Sequence, residues 1–546
     1  MREKPLRFAV ICNYFEMSDW DLDVISRMEE QENVEFSAVI NITGKHSVFN
    51  KNHSVMDQFH KRITRINCEA SFIDGEYSFA EEDFNIIKEM GLDVILNLSS
   101  KKLEGEILTI PEFGVWSFKF GKNEPAFYWE IVNEEHITSA SLRRITVGNR
   151  FITLKQGHFS TLKDSFYQNR SHVMKASTNW PALVCRDILN GTADYFFDVP
   201  RDEVKETEQK IKKWALILKM LKHKLRKVYT KLFCYEYWNV GVMKRPIESF
   251  LTNGGKMEIQ WLAENKHMYI ADPFVYKNGE ELKIIMEELN YKVVKGFISE
   301  AAILQLGNKQ EFKFSQATIS SPAHMSYPFI IEHEGEVYCI PETSEAGEVS
   351  IYKLNRDSGK WHRVKSIIND FPAVDSTIIQ YGDYWWLFCT KANSAIQSHN
   401  YELYLFYSSD LMGEWKQHLM NPVKTDIQSS RSAGTPFLHE GHLYRPAQDC
   451  SKTYGGRIAL NRINKLTPSK FNEETVKFVE PNLDSPYPDG LHTISSAGEM
   501  TIIDSKRFDY HPLHILRKLY KFKPVDIERV RTKIKGTNPK NLILRD

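Results

Sequence analysis

Short apolar runs alternate with helical periodicity over the first 200 residues, and the pattern then changes. LRFAVIC (6–12), FSAVINI (36–42), LDVILNL (92–98) and FGVWSFKF (113–120) read as buried strands, with helical patterns between them at 16–32 and 80–90. Strands alternating with helices predict an α/β unit built on a parallel sheet. From residue 271 the pattern becomes a turn, a strand, a Gly-centred hairpin and an aromatic strand, repeated as ADPFVYKNGEELKIIMEE, SYPFIIEHEGEVYCIPET, VDSTIIQYGDYWWLFCT, AGTPFLHEGHLYRPAQD and, more weakly, PDGLHTISSAGEMTIIDS. The anchors Asp272, Tyr327, Asp375, Thr435 and Gly490 lie 48 to 60 residues apart. A repeat of about 50 residues made of short strands predicts a β-propeller, here five-bladed, whose inner strands face one central funnel. WNVGVM (238–243) is placed to supply a strand that closes the ring.

The expected domains are an α/β unit at 1–200, a basic helix and linker at 201–236, the propeller at 237–510 and a basic tail at 511–546. The length of 546 residues is too great for a single core. Lys+Arg and Asp+Glu balance at 71 each, which leaves no net field toward nucleic acid. Seven scattered cysteines, with no CxxC pair, suggest reduced thiols, a cytoplasmic setting and no zinc site. The apolar run near the start is short, lacks a small-residue cleavage site and meets acids at once, so a buried first strand is expected rather than a signal peptide.

The segment from LDVILNLSS through ILTIPEFGVWSFKFG to SASLRRITVGNRFITLKQGHF resembles the formyltransferases that use 10-formyltetrahydrofolate. That family's Asn, His and Asp stabilise and deprotonate a tetrahedral intermediate. At the matching positions this chain carries Ser117, Lys119 and Asn149. The resemblance thus implies a retained scaffold with a degenerate triad, and no cofactor is expected. The folate enters only under an alternative, amino-sugar N-formyl transfer by rewired residues.

Residues 238–506 resemble the N-terminal part of the plant glucosamine inositolphosphorylceramide transferases, through ADPF, SYPFIIEHEGEVYCIPETSE, WWLFCT, ELYLFYS, GEWKQH, YRPAQDCSKTYGGRI and GLHTIS. In those proteins transfer is assigned to a separate C-terminal domain. Their five-bladed architecture also resembles glycoside hydrolases with carboxylates on successive inner strands. Asp272 occupies the first such position and Asp375 repeats it two blades on, while Tyr327 replaces the acid between them and Glu342 projects nearby.

Two acids flanking a sugar can act as general acid and as base or nucleophile, so Asp272, Asp375 and Glu342 are the candidate catalytic residues. An Asp before Pro or Ser also caps turns, and both readings stand. Arg431, Arg445, Gln448, Asp449, His492 and Tyr327 are candidate binding residues, the arginines for carboxylate or phosphate and the amide and acid for hydroxyls. Tyr384, Trp385, Trp386 and Tyr444 alternate with polar positions, as either sugar platforms or blade core. The expected partner is a sugar, a sugar nucleotide or a lipid-linked glycan, and the expected activity a transferase of glycan or surface-polysaccharide assembly. A non-catalytic glycan-binding scaffold is the other alternative.

Between 210 and 233, Ile211, Trp214, Leu218, Leu221, Leu225, Val228 and Leu232 form one apolar stripe among nine Lys/Arg and no acid. Such a helix either packs its stripe on the α/β sheet or lies peripherally on an anionic membrane face, together with the basic segment 514–523.

Overall fold

The computed structural model describes residues 4–13, 17–42, 63–68, 70–73, 76–99, 101–123, 125–203, 212–252, 258–265, 268–291, 295–306, 309–319, 321–393, 398–512 and 514–515. The first half is built on Leu6–Cys12, which pairs in parallel with Val34–Asn41 on one side and Val94–Asn97 on the other. Thr64–Asn67 extends one edge in parallel and Val115–Phe120 the other. Beyond Val115–Phe120 the sheet turns antiparallel through Ile137–Thr146 and Arg150–Ser160, the last two folded into a hairpin by Gly148 and Asn149, both at positive φ. The expected all-parallel sheet is therefore mixed. The first helix, Asp19–Glu29, starts at Ser18, whose hydroxyl accepts the Asp21 N–H while the Asp21 carboxylate takes the Ser18 N–H.

The second half is mostly β and propeller-like. Four antiparallel sheets of four strands stand as separate units: 268–319, 326–368, 437–479, and a fourth made from both ends of the region. In that fourth sheet Cys234–Met243 runs antiparallel to Met500–Tyr510 over ten residue pairs, so a strand from before the repeats does close onto the last one. Ala373–Tyr381, Tyr384–Lys391 and Glu402–Ser408 form a further antiparallel run. This run does not stand alone. Lys424–Asp426 pairs with Glu402–Leu403 on one side and in parallel with Gly157–His158 on the other, fusing both halves into one 13-stranded sheet.

The joint is apolar as well as hydrogen-bonded. Phe159 of the first half meets the Tyr401 ring at 5.1 Å, and Tyr401, Ile427 and Cys450 belong to the same core as Phe8, Trp116 and Trp180. Trp385 and Trp386 are both buried in separate blade cores, and Tyr444 stacks on Phe437 at 5.4 Å. The aromatic alternation of this region is thus blade core rather than a sugar platform.

The basic helix runs Lys213–Phe233 and passes without a break into Cys234–Met243. The residues before it at 204–211, and most of the segment 514–523, lie outside the described residues. Of that segment His514 sits edge-on to Tyr235 at 4.7 Å. No helix among the described residues is long and apolar enough to cross a membrane.

Candidate functional site

The three inner strands that open the repeats share one irregularity. Their ladders slip between Ala271 and Phe274, between Ser326 and Phe329, and between Val374 and Thr377. At each slip a non-glycine residue adopts a left-handed backbone: Asp272 at φ 50°, Tyr327 at 44° and Asp375 at 51°. Such a conformation costs an L-residue on the order of 1–2 kcal/mol and persists only where surroundings hold it. Here carboxylates hold it. Asp504 Oδ2 accepts the Asp272 N–H at 2.8 Å, Asp272 Oδ2 accepts the Tyr327 N–H at 3.3 Å, and Glu342 Oε2 accepts the Asp375 N–H at 3.2 Å. The bulge therefore aims each side chain inward while a neighbouring acid satisfies its amide.

A fourth corner uses glycine. Gly434 has φ 114°, and a Cβ there would stand 1.8 Å from the Ile494 carbonyl oxygen. Its N–H donates to the Tyr327 hydroxyl at 2.7 Å, and that hydroxyl also bonds Thr377 Oγ1 at 2.8 Å.

Around these corners lies a buried polar network. Arg431 Nε donates to Asp375 Oδ2 at 2.6 Å, its Nη1 to Asn400 at 3.0 Å and its Nη2 to the Tyr454 hydroxyl at 3.3 Å. Gln448 Nε2 donates to the same Asp375 oxygen at 3.0 Å. His492 is stacked on Trp238 with ring centres 3.9 Å apart, Nδ1 lies 2.6 Å from Asp504 Oδ2, and Nε2 lies 3.6 Å from Asp272 Oδ1. Thr493 Oγ1 donates to Asp272 Oδ1 at 2.8 Å. Asp272, Tyr327, Glu342, Asp375, Arg431, Gln448 and His492 are all less than 10 % exposed, so this is an enclosed network rather than the lining of an open funnel.

Burial and crowding separate the proton affinities of these acids. Burial, with Asp375 and Asp504 adding to it against His492, raises Asp272 to about 6. Burial, reinforced by Asp375 and opposed by Arg431, raises Glu342 to about 8. Glu287, buried near the same acids, is pushed well above the ordinary carboxylate range. Burial alone would lower His492, but Asp504 and Asp272 outweigh it and hold the imidazolium above its usual value.

Two expected binding residues lie elsewhere. Arg445 is fully buried beside the outer strand, its fork shared between Glu473 at 2.6 and 3.0 Å and the carbonyls of Ser429 and Ser430. That fork is engaged with the protein itself, and Arg445 is corrected from ligand binding to an internal tie. Asp449 is paired with Arg457 at 2.8 Å and accepts the Ser451 N–H at 2.9 Å, so it too braces its own loop. The sequence reading missed Asp504, Thr493, Glu287, Asn400 and Tyr454. An available signal was the acid near the end of three second strands, Glu287 in MEELN, Glu342 in CIPET and Asp504 in TIIDS.

Asp272, His492 and Asp504 each offer a ligand atom, all within 4.8 Å of one another. Asp504 is already committed, since its oxygens also accept the Asp272, His492 and Thr493 amides. It orients His492, and a cation would meet only His492 Nε2 and Asp272 Oδ1.

In the first half, Ser117 and Lys119 sit two apart on one strand, opposite Arg143 and Ser141. Asn149 is at the exposed tip of the following hairpin, so the three positions do not converge. Lys119, with Lys122, Arg143, His158 and Arg201, lines a cavity of about 290 Å³.

Residues 260–485 match the family model of the N-terminal part of glucosamine inositolphosphorylceramide transferase 1. The transferase of that name from Oryza sativa subsp. japonica is 35 % identical over 210 residues, covering 38 % of this chain and 28 % of the rice protein. The one from Arabidopsis thaliana is 32 % identical over 212 residues, 38 % of this chain and 27 % of the relative. The propeller region thus resembles the N-terminal domain of these transferases, and the chain spans little more than a quarter of their length. Among solved structures, an exo-beta-1,3-galactanase from Clostridium thermocellum is similar at 12 % identity and TM-score 0.32, over 42 % of this chain and 58 % of that one. A family 117 glycoside hydrolase from Zobellia galactanivorans is similar at 14 % identity and TM-score 0.31, over 52 % and 92 %.

Proposed function

We propose that the buried network is the carbohydrate-handling centre of a transferase-type protein acting on a sugar, sugar nucleotide or lipid-linked sugar, set in a five-bladed ring whose remaining blade is the 373–426 run. One observation carries this reading. Glu342 and Asp272 both face the Asp375 charge, and burial pushes Glu342 up to about 8 but Asp272 only to about 6. At neutral pH that supplies one carboxylic acid and one carboxylate, the pairing that acid–base chemistry at a sugar requires. Asp375, held by Arg431 and by the Gln448 amide, positions rather than reacts. Opening of the enclosed network is needed for a sugar ring to enter. The names of the relatives support a carbohydrate-directed, transferase-type role, and the glycan-assembly setting is part of this proposal.

Titration of the whole chain with sugar nucleotides, followed by product analysis, tests this. Glu342→Gln should lower turnover on the order of 10²-fold or more with the melting temperature retained. Unchanged turnover would remove Glu342 from the chemistry. A second reading, a non-catalytic glycan-binding scaffold, is favoured by the backbone amides that Asp272, Glu342 and Asp504 accept. Saturable glycan binding with no product from any donor would select it. Amino-sugar N-formyl transfer demands folate at Lys119 and Ser117, and the displaced position of Asn149 speaks against it.

A further inference from the structure

The Lys213–Phe233 helix is mounted with its apolar face outward. Trp214, Leu218, Leu221, Leu225 and Val228 step by four and three, Tyr229 follows four after Leu225, and each is 49–62 % exposed. A helix on a globular protein ordinarily buries such a stripe. Here the opposite face holds it to the first half. Leu216 is buried, the Met220 sulfur accepts the Phe166 N–H at 3.3 Å, Lys219 and Lys222 reach Glu134 at 2.7 and 3.2 Å, and Lys227 reaches Asp164 at 2.7 Å. The alternative of a stripe packed on the α/β sheet is overturned by this orientation.

The exposed stripe is flanked by cations. Lys213 and Lys224 are exposed, and the segment 213–233 contains no Asp or Glu. A second copy of the helix laid against it would bring lysine against lysine, so the occupant must be apolar in depth and anionic at its rim. We propose that this helix lies in the headgroup layer of an anionic lipid bilayer, with Trp214, Leu218, Leu221 and Leu225 in the acyl boundary and the flanking lysines at lipid phosphates. That is the geometry of an interfacial, non-spanning helix. This inference is independent of the sugar-site reading.

The test is cosedimentation of the full chain with vesicles of phosphatidylcholine and phosphatidylserine, about 2:1, against phosphatidylcholine alone. Binding is expected only to the anionic vesicles and should weaken as salt rises. Leu221→Glu with Leu225→Glu should cut partitioning at least about tenfold. Lys213→Glu with Lys224→Glu should cut it by roughly tenfold or more, from about one factor of five per charge removed. All four positions are exposed, so melting temperatures should match the parent. No binding to anionic vesicles overturns the proposal. So does parent-like binding by both double variants, or a dimer in light scattering that the leucine variant dissolves. Binding that appears only after removal of residues 516–546 assigns the stripe to that segment instead and equally overturns it.

Discussion

At Asp272, Tyr327 and Asp375 a bulge forces a left-handed backbone, and two of the acids that hold it, Asp272 and Glu342, keep their protons above the ordinary carboxylate range. Their titration gives a pH dependence with a definite sign. Asp272 and Glu342 bind protons more tightly in the folded chain than the ordinary 3.8 and 4.5, and His492 more tightly than 6.5. Between about pH 4 and 8 these three groups hold more protons in the folded chain than in the unfolded one, so their own contribution to stability falls as pH rises, while His399 and His418, lowered to about 4 by burial, contribute in the opposite direction. Each such proton contributes up to about 1.4 kcal/mol per pH unit where it is bound only in the folded state. The stability of the parent relative to Glu342→Gln, read as the difference between their denaturant midpoints, should accordingly fall from pH 5 to 8. A difference that rises across this window would contradict the assignment. Tyr327→Phe leaves the buried Gly434 N–H without its acceptor and should cost about 1–3 kcal/mol in urea unfolding.

At the level of elements, the sequence carried more of the fold than of the site. The strand pattern of 6–12 and the Gly-centred hairpins were legible because each is set by local periodicity and turn chemistry. The mixed direction of the first sheet was not, since strand direction depends on the connection that returns the chain. Arg445 read as a ligand because an Arg on an inner-blade segment looks exposed in sequence, but its Glu473 partner lies 28 positions away on another strand. Asp504 was passed over because its role is defined only by contact with Asp272, 232 positions earlier. Two expectations follow for these elements. Glu473→Ala strands the buried Arg445 charge and should cost about 3–5 kcal/mol by denaturant titration. Gly434→Ala drives a methyl into the Ile494 carbonyl and should cost at least about 3 kcal/mol, or prevent soluble expression.

For the molecule as a whole, the shared sheet and core make the two halves one body. Phe159, Tyr401 and the Gly157–Asp426 ladder cross the expected boundary at residues 200–236. Calorimetry should show a single unfolding transition. Two separated peaks would show that the joint is weak. A 5-formyltetrahydrofolate titration should give no saturable thermal shift, because Ser117, Lys119 and Asn149 do not meet; ligand at a hundredfold over its Kd would otherwise stabilise by about 2.7 kcal/mol.

The seam of the ring also has a temporal side. Val240 pairs with Asp504, which leaves the ribosome 264 positions later. At about 5–20 residues per second the first partner waits roughly 10–50 s with its edge unpaired. During that interval Cys234–Met243, apolar over its second half, is a nascent-chain hazard that must be shielded by a chaperone or by the basic helix just made before it. Ribosome-bound chains halted before residue 500 should therefore be the protease-sensitive, chaperone-bound species of this protein, and release past residue 510 should end that dependence.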